Sequence, residues 1–364
     1  MRHDEGLARA LRRSSLADQS LLSKTLDAFD EGSLSRLRKN IVGLIRERSR
    51  TVRRIASGRL TMLDMDMTDL PCSRRCEGAV KGRTTGKRGR TVRQLSVVYC
   101  HRYREPLDVF LHPGNVQSAA PLEDIVAHLE EIHEWRRRQR TLICWRLDSG
   151  YGSDGKLAWL MRRGYRTLAK GLSNKRAAKW AQGLQEADWT AVHRFQQVFE
   201  RERVATIPSP HRCMVIRTLR SKSAAYCHSY LVSNLQRWVR PRSHALFYNQ
   251  RQGIEKEIQQ IKSVLGLKHK RKHSFQGMEA LALLTLTANL GLVWARRSLG
   301  LDDLGLKRFI RDVVKTPGIV RLTRSGLQVH FHPEVAYYQQ LADWQKKSPM
   351  PLFSSQTGTI LYKN

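Results

Sequence analysis

The stretch TLICWRLDSGYGSDGKLAWLMRRGYRTLAK, residues 141–170, decides the fold of this chain. Its apolar run Thr141–Leu147 predicts a short buried strand, Asp154–Arg163 predicts a helix, and Tyr165–Ala169 predicts another strand. The Gly-rich turn after the first strand would hold Asp148 at the carboxyl edge of the sheet. The segment therefore predicts a strand, helix and strand with a carboxylate at the sheet edge.

Upstream of this unit, the hydrophobic period changes from that of helices to that of strands. Residues 1–60 place apolar side chains at helical spacing, and the helix predicted around Leu34–Ile45 carries a run of cations that favours DNA contact. In LDMDMT (63–68) apolar and polar residues alternate, and strand-like runs follow at Leu95–Tyr99 and Leu107–Leu111. The predicted order is three strands, a helix, a strand, a helix and a strand. This order predicts an α/β fold, a mixed sheet flanked by helices.

Downstream of the unit, this rhythm breaks. Residues 172–245 are basic and rich in loops, with strand candidates at Cys213–Leu219 and Tyr226–Leu231, which predicts an inserted β-rich unit. Two long helices are predicted after it, at about 248–266 and about 276–297.

The charge of the chain indicates a polyanionic partner. Its 364 residues include 65 Lys and Arg against 32 Asp and Glu, a net charge of +33. Cations that neutralise phosphates release counterions from DNA, so such a chain would bind DNA with a strong dependence on salt. A ribosome-associated protein and a protein that meets anionic membranes are alternatives that charge alone leaves open.

The cellular location follows from two segments. Met1–Ser20 is largely polar and charged, which predicts no secretory signal and a cytoplasmic protein. Ala280–Ala295 is nearly uncharged but shorter than the roughly 20 residues that span a bilayer, so it predicts a buried core helix and no membrane partner.

The cysteines predict reduced thiols, since six of them lie scattered along a basic chain. Cys72 and Cys76 form C-x3-C, and Cys100 precedes His101, so a zinc site is an alternative interpretation. Zinc ribbons use tighter, repeated pairs, which makes this alternative the weaker one.

The segment YNQRQGIEKEIQQIK (248–262) presents chemical groups on one face of a predicted helix. Four polar residues lie at spacings of 3, 4 and 7, so at about 100° per residue they share a narrow face: Tyr248, Arg251, Glu255 and Lys262. Isoleucines on the neighbouring face would fix the helix to the core. The alternative is an amphipathic helix whose exposed side carries an ordinary Glu and Lys pair.

Carboxylates from three predicted elements complete a candidate cluster. Asp66 lies beside Asp64 on one strand, Asp148 ends another, and Glu255 lies on the helix. Mg²⁺ prefers oxygen ligands, and two ions about 3.5–4 Å apart can assist phosphodiester displacement. The competing interpretation makes Asp148 a cap for the next helix.

The pattern Y-x2-R-x3-E-x6-K, matched in full, resembles the signature of DDE-type insertion-sequence transposases, cut-and-paste enzymes with an RNase H-like fold. LDMDMT (63–68) resembles the family's first-Asp strand, and RLDSGYGSDGKLAWLMRRGY (146–165) resembles its second-Asp strand and turn. The resemblance covers roughly residues 60–300 and includes the order Asp, Asp, β-rich insertion, Glu.

This resemblance implies the identity of the catalytic residues. Asp66, Asp148 and Glu255 would be the catalytic triad that binds two Mg²⁺ or Mn²⁺ ions. Asp66 is preferred because Thr68 follows it by two residues, as is usual in the family, and Asp64 is the alternative.

The resemblance also implies the partners and the reaction. Tyr248, Arg251 and Lys262 would hold DNA phosphates near the cleaved end. The enzyme would cleave double-stranded DNA at terminal inverted repeats, join the end to target DNA, and act as a homodimer in a synaptic complex. A decayed or domesticated transposase that binds DNA without cutting it is the alternative, and a structural DNA-binding protein or another RNase H-like nuclease accounts for fewer of these residues.

The resemblance divides the chain into five segments. These are a helical DNA-binding region shorter than in relatives (1–60), the first part of the catalytic domain (61–171), the β-rich insertion (172–245), the helices that carry the glutamate (246–300) and a C-terminal tail region (301–364).

Overall fold

A computed structural model describes the protein over most of its length. The described residues are 8, 15–82, 89–201, 203–207, 210–219, 225–236, 239–270, 272–323, 326–347, 352–353 and 360–361. Contacts divide the chain into two compact units, Phe29–Thr287 and a smaller one made of Met1–Ala28 and Ala288–Asn364.

The described residues form twelve α-helices and fourteen strands. The α-helices are α1 (Gln19–Asp27), α2 (Glu31–Arg48), α3 (Arg50–Ala56), α4 (Leu122–His133), α5 (Arg137–Arg140), α6 (Asp154–Arg162), α7 (Asn174–Ala181), α8 (Pro241–Asn249), α9 (Gln252–Gln259), α10 (Phe275–Ser298), α11 (Leu306–Phe309) and α12 (Tyr338–Lys347). The strands are β1 (Thr61–Pro71), β2 (Val80–Lys81), β3 (Thr91–Cys100), β4 (Glu105–Pro113), β5 (Ile143–Leu147), β6 (Arg166–Lys170), β7 (Thr190–His193), β8 (Gln196–Arg201), β9 (Arg212–Leu219), β10 (Tyr226–Ser233), β11 (Gly318–Thr323), β12 (Gly326–Phe331), β13 (Leu352–Phe353) and β14 (Ile360–Leu361).

The larger unit is built on one mixed sheet, which confirms the predicted α/β fold. Antiparallel pairs join β4 to β3 and β3 to β1, whereas β5 is parallel to β1 and β6 is parallel to β5. Beyond β6 the order continues through β10, β9, β8 and β7, all antiparallel. The β-rich insertion thus exists as predicted, but its strands extend the central sheet through β10 and do not stand apart, and it also contains α7.

The register between β1 and β5 positions two of the predicted acids. Met65 is opposite Leu147 in this parallel pair, and Asp64 is opposite Arg146. The next residues along the two strand directions, Asp66 and Asp148, therefore come side by side at the carboxyl edge of β5. β1 is 11 residues long and β5 only 5, so β1 continues past this edge.

One of the two long helices predicted after the insertion differs from the structure, and the other is confirmed. The helix expected at 248–266 is interrupted, because α8 ends at Asn249, α9 covers Gln252–Gln259 and a π-helical turn follows at Gln260–Val264. The helix expected at 276–297 is α10, which is confirmed as a single element.

Helix α10 also bears on the question of a membrane. Among the described residues it is the one helix long and apolar enough to be a candidate membrane span, and half of its apolar window is buried inside the protein. This burial agrees with the predicted core helix.

The cationic helix α2 does not turn all its charges to solvent. Arg38 is tied to Asp108 and, at 2.8 Å, to Glu279, and both pairs are partly or fully buried. The guanidinium of Arg38 is thus occupied inside the fold, and the prediction that this helix contacts DNA depends on its other cations. Other cations of α2, including Arg36 and Lys39, are exposed.

The smaller unit has its own core. Phe309, Val313 and Leu341 form a buried cluster. Strands β11 and β12 pair in an antiparallel hairpin.

Candidate active site at the carboxyl edge of the sheet

Asp64, the alternative first acid, lies in a closed ion pair. Its carboxylate accepts from Arg146 Nε at 2.5 Å and from Nη2 at 2.7 Å, and the two side chains are 0% and 1% exposed. The parallel register explains this contact, since residues opposite each other in the pair point to the same face. Arg146 also donates to the Phe247 carbonyl, so its position is fixed from both sides.

Asp66, two residues further along β1, has a different environment. Its side chain is 17% exposed, its Oδ1 accepts from the Met67 N–H at 2.9 Å, and Arg251 Nη2 lies 2.9 Å from its Oδ2. Burial raises the pKa of Asp66 to about 6; the charges of Asp148 and Glu255 add to this rise, and Arg251 opposes it. The carboxyl group therefore holds its proton near neutral pH more tightly than an exposed aspartate does.

Asp148 follows the last residue of β5 and is held by the turn after it. Its Oδ1 accepts from the Gly150 N–H at 2.9 Å. Gly152 lets this turn lie against β6, because a Cβ there would be 1.9 Å from the Lys170 carbonyl oxygen. The carboxylate, 35% exposed, is 3.7 Å from Arg251 Nη2.

Arg251 lies among three carboxylates that come from three elements. It precedes α9, and its Nη1 donates to Glu255 Oε1 at 3.2 Å one turn later. Glu255 is 61% exposed, whereas the Arg251 side chain is 9% exposed. Burial disfavours the charge of Arg251, but Asp66 and Asp148 outweigh it and raise the pKa of the guanidinium. One cation facing three acids leaves negative charge uncompensated.

The other two signature residues occupy different positions. The Tyr248 ring packs against a core cluster of the insertion strands, and burial raises the pKa of its hydroxyl well above the usual range. Lys262 donates to Thr68 Oγ1 at 2.9 Å and to the Asp69 carbonyl at 2.7 Å. The four residues therefore do not form one flat face: the arginine lies among the acids, and the lysine lies further along β1.

Sequence reasoning did not single out Gly253 or Tyr151, which lie next to this cluster. The His101 ring lies against Gly253, where a Cβ would be 2.0 Å from its Nδ1. A glycine inside a helical pattern signals such a close approach, so Gly253 could have been singled out. Tyr151, from the turn after Asp148, is fully buried, and its pKa is raised by burial and by the nearby charges of Asp66 and Asp148.

The zinc alternative is wrong. The Cys72 N–H donates to the Thr91 carbonyl at the first residue of β3, and Cys100 is the last residue of that strand. A strand of this length separates them by about 30 Å.

Among the described residues, no group of three or more His, Cys, Asp or Glu side chains is arranged to hold a metal ion. In the acid cluster, the guanidinium of Arg251 lies between the three carboxylates.

Comparison with known proteins identifies a family. The family described as transposase DDE domain matches residues 57–290, which include the strands and helices that carry the cluster. Among solved structures, the chain is similar to a piggyBac transposase in a synaptic complex with hairpin DNA, with a TM-score of 0.47 and 14% identity. The match covers 84% of this chain and 60% of that one. No curated protein matches.

Proposed function

The chain belongs to the transposase DDE domain family, and from this membership we propose that it is the transposase of a bacterial insertion sequence. It cleaves DNA strands at the ends of the element and transfers the freed ends to target DNA. The observation that carries the proposal is the convergence of Asp66, Asp148 and Glu255 on one guanidinium at the carboxyl edge of the sheet.

The donor set suits the divalent metal ions that this family uses. Carboxylate oxygens are the ligands that Mg²⁺ and Mn²⁺ prefer, and three acids with one cation carry excess negative charge for two such ions. Asp66 serves as the first acid, because it shares Arg251 with Asp148 and Glu255, whereas Asp64 is fully buried in its pair with Arg146. When bound, the ions would stabilise the charge that develops on the attacking and leaving oxygens of a phosphodiester.

The remaining residues act on the DNA and on the charge of the site. Arg251 neutralises part of the acid cluster before metal and DNA bind, and a guanidinium is suited to bind a phosphate of the cleaved strand. Tyr248, one helical turn before Arg251, and Lys262, further along β1, hold neighbouring phosphates. Water attacks one strand in line, and the new 3′-hydroxyl then attacks the opposite strand, so the protein contributes mainly positioning and electrostatics.

The proposed partners are the two ends of the element and the target DNA. The net charge of +33 favours DNA as the partner. Two copies of the protein, each bound to one end, would form the synaptic complex in the cytoplasm, where the chromosome is accessible.

The decisive experiment is cleavage of a labelled duplex that carries the end of the element, with Mg²⁺ or Mn²⁺. Intact protein is compared with Glu255→Gln at protein concentrations that give equal DNA binding. We expect metal-dependent nicking followed by hairpin formation from the intact protein and neither from the variant.

The matched control is Glu131→Gln, on the exposed end of α4, which should cleave normally. Binding without cleavage by the intact protein would instead indicate a decayed copy that only binds DNA. If Glu255→Gln still cleaves DNA, Glu255 is not a catalytic residue.

A further inference from the structure

A buried arginine joins two basic loops at the far end of β1. Arg93 of β3 is 1% exposed and donates to three backbone carbonyls: Glu77 at 2.6 Å, Lys272 at 3.0 Å and His273 at 2.6 Å. The Glu77 N–H also donates to the His273 carbonyl at 3.0 Å. These bonds hold together two segments, here called the loop pair: residues 72–78 and 266–273, of which 271 is not described.

The loop pair exposes several cations. Arg74, Arg75 and Lys270 are exposed and Lys268 is half-buried. None of the four forms an ion pair with another described residue. Cys72, at the start of one loop, lines a narrow cleft together with Lys268 and Lys270 of the other, so the two loops lie side by side. Glu77, the acid in this region, accepts the Phe275 N–H at 2.8 Å.

A fixed distance separates the loop pair from the acid cluster. From Asp66, strand β1 continues to its end at Pro71 and leads directly into the first loop. At about 3.3 Å per residue, six residues place Cys72 roughly 20 Å from Asp66. The rise of B-DNA is about 3.4 Å per base pair, so a duplex that lies alongside β1, the orientation proposed here, covers this distance in roughly six base pairs.

We propose that the loop pair binds the phosphate backbone of the duplex about six base pairs from the position of cleavage. This inference rests on the proposed function for its substrate, DNA. Arg74, Arg75, Lys268 and Lys270 contact phosphates, and Arg93 is a positioning residue that keeps the two loops at one spacing. Lys262, at Thr68 and Asp69, lies between the acids and this surface.

The test is the salt dependence of DNA binding, measured by fluorescence anisotropy without divalent metal on a duplex that carries the element's end. The intact protein is compared with Arg74→Gln/Arg75→Gln and with Lys268→Gln/Lys270→Gln. Each lost phosphate contact makes the slope of log affinity against log salt shallower by about 0.9, so each double variant should lose about 1.8. The control is Lys175→Gln/Lys179→Gln, two exposed lysines of α7, which should leave the slope unchanged.

A shortened duplex locates the contact. Truncation to about four base pairs from the cleavage position, first on one side and then on the other, should on one side abolish the difference between the intact protein and the variants. Slopes that are equal on the long duplex would overturn the inference, as would a difference that survives truncation on both sides. If the intact protein does not bind the duplex at all, the proposed function fails; if it binds and cleaves with unchanged variant slopes, only the loop pair is excluded.

Discussion

Two aspartates of the same strand, two residues apart and on the same face, have opposite environments. Asp64 and Arg146 form a closed pair in which both carboxylate oxygens are bonded. Asp66, by contrast, belongs to an open cluster with Asp148 and Glu255 around Arg251. The cause is the length of β5, which ends between the two positions and leaves Asp66 at an edge where other elements can approach.

The difference supports the proposal that Asp64 has a structural role and Asp66 a chemical one. A buried ion pair contributes to stability only if its geometry is good, because both charges lose their water. The closed pair meets this condition and has no unused oxygen. In the open cluster, exposure rises from 17% at Asp66 through 35% at Asp148 to 61% at Glu255, so its carboxylates face a surface that DNA and ions can reach.

The largest effect is expected on DNA cleavage, which should require Asp66 as an acid and not Asp64. Asp66→Asn removes a negatively charged oxygen ligand and should slow strand cleavage by about 10³-fold or more, with DNA binding retained. Single-turnover cleavage of an end-bearing duplex measures it. A variant that keeps cleavage within about tenfold of the intact protein would exclude Asp66 as the first acid.

The next effect concerns the closed pair and is on stability. Asp64→Asn leaves Arg146 buried without its partner, so the free energy of unfolding should fall by about 3–5 kcal/mol in urea denaturation. The double variant Asp64→Leu/Arg146→Met removes both charges and should recover most of this loss. A double variant as unstable as the single one would show that the ion pair itself, and not the unpaired charge, determines stability.

The comparison also shows what the sequence could predict. Alternation around LDMDMT and the strand end at Asp148 were sufficient to bring two acids to one sheet edge. Alternation does not determine the register of a strand pair, so it left Asp64 and Asp66 equivalent. A hint was present, since Arg146 precedes Asp148 by two residues just as Asp64 precedes Asp66.

The helix that carries Glu255 was predicted less well. Helical spacing implied one straight face, but the break between α8 and α9 and the π-helical turn at Gln260–Val264 change the direction of successive side chains. A periodic pattern cannot reveal such local changes. Nor could the sequence show that Arg251 turns inward to the acids, because that position depends on strands far away along the chain.

The third prediction concerns the pH dependence of the unfolding free energy, which reflects the excess negative charge of the open cluster. The pKa of Asp66 is raised from 3.8 to about 6 in the folded protein. The native state therefore holds this proton more tightly, and the resulting stability is fully present below about pH 4 and is lost as pH rises through 6. Without metal, the unfolding free energy of the intact protein relative to Asp66→Asn should fall by about 2–3 kcal/mol from pH 4 to 7.

Urea denaturation in a chelating buffer measures this change. The control Asp124→Asn, at an exposed position of α4, should track the intact protein across the same range. A constant difference between Asp66→Asn and the intact protein would contradict the raised pKa. Saturating Mg²⁺ or Mn²⁺ should restore the stability of the intact protein at pH 7 but not that of the variant.

The smallest effect should come from Lys262, which combines features of both regions. Its ammonium donates to Thr68 Oγ1 and to the Asp69 carbonyl, as in a closed pair, yet the side chain is 20% exposed, close to Asp66 in exposure. Lys262→Met keeps the aliphatic stem and removes these hydrogen bonds, so unfolding free energy should fall by about 1 kcal/mol. Lys256→Met, at an exposed position of α9, is the matched control and should change it by less than about 0.5 kcal/mol. Equal losses in the two variants would mean that the contacts of Lys262 with β1 do not stabilise the free protein, and the lysine would then belong with the open cluster alone.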